Sequence, residues 1–71
     1  MKEHYEIILY WSAADNAVIA EVPELPGCAA HGATQNEALQ NVQDAMELWL
    51  DTARERGIEI PAPKGRRWIL A

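Results

Sequence analysis

At 71 residues, 49% of them hydrophobic, and with a net charge of −5, the chain has length for one domain near the lower limit of a self-sufficient core, and is too apolar for disorder. No apolar run approaches the ~18–20 residues of a membrane span, and the opening M-K-E-H-Y-E lacks the apolar segment of a secretory signal. A single cysteine, Cys28, excludes an internal disulfide framework, so a cytoplasmic protein with one domain over residues 1–71 is expected.

Residues 4–11 read as a first strand. Tyr5, Ile7, Leu9 and Trp11 alternate with Glu6, Ile8 and Tyr10, and two largely apolar faces predict a strand interior to its sheet. Residues 12–16 contain Asp15-Asn16, which tolerate turn geometry, and lead into a second strand over 17–22. The two should form a hairpin, with Val18, Ala20 and Val22 on one face. The stretch V-P-E-L-P-G-C follows. Pro23 and Pro26 lack backbone N–H groups and cannot continue an interior ladder, while Gly27 supplies the positive φ that a tight turn after Pro26 requires. This stiff corner launches a third strand over 28–31. Leu25, held between the prolines, either packs down as a plug or faces a partner.

Residues 34–56 carry the strongest local signal, a long helix. Thr34 and Glu37 have capping-box spacing, and Leu39, Val42, Met46, Trp49, Leu50 and Ala53 recur at helical spacing. Gly57 suits a left-handed C-terminal cap with Ile58 as its apolar contact, and Arg54 and Arg56 complement the helix dipole. The run I-P-A-P is an extended linker, and residues 66–70 are expected to form a short final strand. Three meandering strands, a helix crossing one face and a fourth strand parallel to the first predict an α+β fold of order 3-2-1-4.

The charge is unevenly distributed. Residues 3–53 hold nine carboxylates (Glu3, Glu6, Asp15, Glu21, Glu24, Glu37, Asp44, Glu47, Asp51) and no lysine or arginine. Five basic residues, Arg54, Arg56, Lys64, Arg66 and Arg67, follow. Such a body repels nucleic-acid phosphate and attracts a basic surface. No catalytic constellation is visible. Cys28 and His31 point to opposite faces of a strand, and His4, Cys28 and His31 have no metal-ligand spacing. The four glycines form no phosphate-binding pattern, and the basic residues near Lys64 are too few for a nucleic-acid site. A binding module without cofactor or metal is expected rather than an enzyme.

The segments Y-E-I-I-L, V-P-E-L-P-G-C, G-A-T-Q-N-E-A-L and G-I-E-I-P-A-P, with the long helix between the last two, together resemble the HicB-like antitoxin family over nearly the whole chain. The resemblance implies a partial ribonuclease-H-like fold. It also implies a non-catalytic antitoxin that neutralises a HicA-type toxin, a small basic ribonuclease, by covering its active surface. Many members add a C-terminal DNA-binding domain; nothing like it stands in these 71 residues, so direct DNA binding by this chain is not expected. The ribonuclease H carboxylate cluster is also missing, since the first strand offers only Glu3 and Glu6. The alternative is a stand-alone, self-associating regulatory or remnant module.

Two surfaces are expected. Glu21, Glu24 and Leu25 at the corner are candidates for binding a basic partner. A helix of about 22 residues spans roughly 33 Å and overhangs strands of about 20–27 Å. Trp49 and Ala53 at that overhang, with Trp68, Ile69 and Leu70 in the tail, are therefore candidates for the interface of a homodimer or larger homo-oligomer. The competing account has Trp68 folding back over the helix end.

Overall fold

A computed structural model describes residues 4–63 as three strands, β1 (Ile8–Ser12), β2 (Ala17–Glu21) and β3 (Ala29–Gly32), followed by one helix, α1 (Gln35–Arg56). The strands form an open antiparallel sheet of order β1-β2-β3, so the α+β class and the meander are as expected. The fourth strand expected over 66–70 lies outside the described residues.

The hairpin register pairs Ser12 with Ala17 and Ile8 with Glu21. Its loop closes because Asn16 takes a positive φ of 52° and Asp15 exchanges hydrogen bonds with the Ser12 hydroxyl. β1 begins four residues later than predicted. Its apolar alternation is real, but the preceding residues are held differently: the Tyr5 hydroxyl donates to the Pro61 carbonyl, and the Glu6 N–H donates to Glu24 Oε1. In the described sheet β1 is an edge strand rather than an interior one. Ile8, Leu9, Tyr10 and Trp11 are all exposed, Trp11 by 58%; the interior position was expected from a fourth strand over 66–70, residues that lie outside those described.

The proline corner is two consecutive turns. The Leu25 N–H donates to the Val22 carbonyl and the Cys28 N–H to the Leu25 carbonyl, while the Val22 N–H closes on the Cys28 carbonyl. Pro23 and Pro26 occupy the second positions of these turns, where a fixed φ costs nothing, and Gly27 adopts φ 79° at the third position of the second turn. Both prolines thus sit where no N–H is needed.

α1 is capped as expected. Thr34 Oγ1 accepts from the Glu37 N–H at 3.1 Å, while the Glu37 carboxylate accepts from the Ala33 N–H, one residue earlier than the usual box. Gly57 ends the helix at φ 68°, and the Ile58 N–H reaches back to the Ala53 carbonyl, a Schellman ending. The buried stripe is Ala38, Val42, Met46, Leu50 and Ala53. It faces Val18, Ala20, Val22, Leu25 and Cys28 across the core, with Tyr5 completing one margin. Leu39 and Trp49, predicted for the stripe, are instead half-buried at its border.

The helix does outrun the strands, yet its second half is not bare. Leu25 and Cys28 of the corner join Leu50 in the core cluster, and Trp49 Nε1 donates to the Pro26 carbonyl at 2.9 Å. The corner therefore prolongs the apolar face of the sheet beneath the helix. This is why Ala53, expected at an exposed overhang, is only 2% exposed.

Candidate functional site

The two expected surfaces resolve differently. At the corner, Glu21 ends β2 and Glu24 sits in the first turn, both half-buried. Glu21 Oε2 accepts a 2.6 Å hydrogen bond from the Tyr10 hydroxyl. That bond, with lesser help from desolvation and from the Glu21 and Asp15 charges, holds the Tyr10 phenol above its ordinary pKa. Glu24 Oε1 accepts from the Glu6 N–H at 3.5 Å. The turn thus gathers Glu6, Glu21 and Glu24 near the start of β1. Leu25 corrects one of the two roles assigned to it. It is 0% exposed, because its side chain is the plug that the paired turns drive into the core, and it offers nothing to a partner.

The candidate oligomer surface is likewise redrawn. Ala53 is buried and Trp49 is half-buried with its indole N–H occupied; Trp68, Ile69 and Leu70 lie outside the described residues. Beside Trp49 the chain leaves an apolar groove of about 380 Å³ between the corner and α1. Gly27, Cys28 and Ala29 form one wall, and Ala45, Leu48, Thr52 and Ile58 are prominent on the other. Leu48 is 68% exposed and Ile58 50% exposed.

Sequence reading missed Leu48 and Ile58 as parts of a surface. The available signal was Leu48 itself, an apolar residue off the buried stripe and amid acidic neighbours. Asp44 and Asp51 lie one turn to either side of it, and Glu47 is adjacent; all three are exposed. Asp51 is also engaged by Arg54 at 3.0 Å on the helix surface.

Cys28 is a buried free thiol whose pKa is pushed up by burial, while His31 is exposed on β3 with its carbonyl accepting from Asn41 Nδ2 at 2.8 Å. Among the described residues no three His, Cys, Asp or Glu side chains are grouped to hold a metal ion. No helix among them is long and apolar enough to cross a membrane.

Comparison with known proteins points one way. The family model described as the HicB-like antitoxin of bacterial toxin–antitoxin systems matches residues 5–67. A UPF0150 protein of Synechocystis sp. is 36% identical over 59 residues, 83% of this chain and 80% of the relative. One from Thermoplasma acidophilum is 34% identical over 47 residues, 66% of this chain and 68% of its own. Another, from Helicobacter pylori, is 44% identical over 36 residues, 51% of this chain and 50% of its own. No solved structure matches the chain.

Proposed function

Because the chain belongs to the HicB-like antitoxin family of bacterial toxin–antitoxin systems, we propose that it is a non-catalytic antitoxin that neutralises a small basic HicA-type ribonuclease by covering its active surface. The family match across residues 5–67 carries this reading. The charge pattern supports it independently: residues 4–53 hold eight carboxylates and no lysine or arginine, so a basic enzyme is attracted where nucleic acid is repelled. The corner carboxylates, Glu21 at the end of β2 and Glu24 on the rigid double turn, are part of the contact in this reading. The complex forms in the cytoplasm and needs no cofactor and no DNA contact from this chain.

Co-expression tests the proposal. A short basic protein encoded beside this chain should arrest growth when expressed alone, and the chain should restore growth and abolish RNA cleavage by the purified toxin. A neighbour whose toxicity the chain leaves untouched would overturn the antitoxin role.

A second reading, a self-associating module without a toxin, is favoured by one observation. Among the described residues β1 presents Ile8, Leu9, Tyr10 and Trp11 to solvent along an edge of the sheet, a surface that pairs readily with another strand.

A further inference from the structure

We propose that the groove between α1 and the proline corner is a docking surface for a basic protein, which places an apolar side chain against Leu48 and Ile58 and sets lysines or arginines against Asp44, Glu47 and Asp51. The proposal rests on the antitoxin reading and gives it a second contact surface, on the helix.

Three features of the groove carry it. First, Leu48 adds nothing to the chain's own core, since it lies outside the buried stripe and exposes two thirds of its surface. Second, the walls are already fixed. The Trp49 indole is tied to Pro26, and the corner is closed by its own turn hydrogen bonds, so docking orders little that was free. Third, the apolar knob is flanked by acidic residues, with Asp44, Glu47 and Asp51 exposed beside it and, among the described residues, only Asp51 paired with a cation, Arg54, at 3.0 Å. A buried apolar contact inside a polar rim is the usual anatomy of a protein interface.

Among separate molecules, the rim also narrows the occupant. A second copy docking groove to groove would set carboxylate against carboxylate, and a nucleic acid would bring phosphate to the same rim. A protein with lysines or arginines around an apolar side chain satisfies both parts.

The probe is the purified protein of the adjacent reading frame, with its binding to the intact chain measured by calorimetry at two ionic strengths. Leu48→Glu should weaken binding by about 30-fold or more, the loss typical of a central interface residue. Asp44→Lys with Asp51→Lys should weaken it comparably and flatten its salt dependence. Leu48 is exposed, so circular dichroism should show Leu48→Glu folded as wild type.

Full-strength binding by both variants, with loss confined to Glu21→Lys/Glu24→Lys, would overturn the groove and leave the antitoxin reading standing. Failure of the wild-type chain to bind or neutralise the probe would overturn that reading, and this proposal with it. A dimer of the chain alone that Leu48→Glu dissolves would assign the groove to a second copy, and would likewise overturn it.

Discussion

At the scale of single residues, Tyr10 and Glu21 form a contact whose response to pH has a definite sign. The phenol donates to the carboxylate, so the neutral phenol is favoured in the folded chain and its pKa lies above the ordinary 10.0. The contact is present below the unfolded value and is lost as pH rises through the raised one. Ultraviolet titration should show Tyr10 ionising later than a free phenol, and Glu21→Gln should bring the midpoint back toward the ordinary value. Leu25 and Thr34 contrast in size. Leu25 is fully buried, and Leu25→Ala should cost about 2–5 kcal/mol in urea melts. Thr34→Ala removes one cap hydrogen bond and should cost about 1 kcal/mol. In a domain this small the first loss takes most of the stability and the second does not.

At the scale of elements, local signals were legible and distances were not. The hairpin, the corner and both ends of α1 follow from residues within a few positions of one another: Asn16 at its turn, Pro23 and Pro26 at theirs, Thr34 and Gly57 at the caps. At its first turn the stripe was misread by one position, Leu39 for Ala38, because size, rather than hydrophobicity, decides that position. A Cβ on Gly32 would come within 2.6 Å of the Ala38 nitrogen, so β3 meets the first turn of α1 at near-backbone contact. Ala38 fits there, and Leu39 stands at the margin. Gly32→Ala should therefore cost more than an ordinary overpacking change of roughly 1–3 kcal/mol, because the clash is with backbone. Leu48 escaped notice for the converse reason, since helical periodicity finds what is buried and is silent on what is left out. The two edges of the described sheet also differ. β3 has its His31 carbonyl covered by Asn41, whereas β1 carries no charge and no proline to discourage pairing. If this edge drives self-association, Leu9→Lys with Trp11→Lys should reduce the sedimenting mass to that of a single chain, while leaving the helical signal unchanged.

At the scale of the whole molecule, a short sheet supports a long helix because an irregular segment takes over where the strands stop. That substitution leaves the chain's single thiol at a junction. Cys28 is buried between the corner and the second half of α1 and lines one wall of the groove. Cys28 is only 6% exposed at the groove wall, so a thiol reagent gains full access when helix and corner part, and the rate of modification rises with how often that seam opens. For a domain held by about 5 kcal/mol, modification through global opening alone would run some 10³–10⁴-fold slower than on the unfolded chain. A faster rate that is insensitive to low urea would show that the seam breathes independently of the sheet. Leu25→Ala should quicken the reaction, and a protein seated in the groove should nearly stop it. The chain thus carries its own clock for the joint on which both its fold and its docking surface depend.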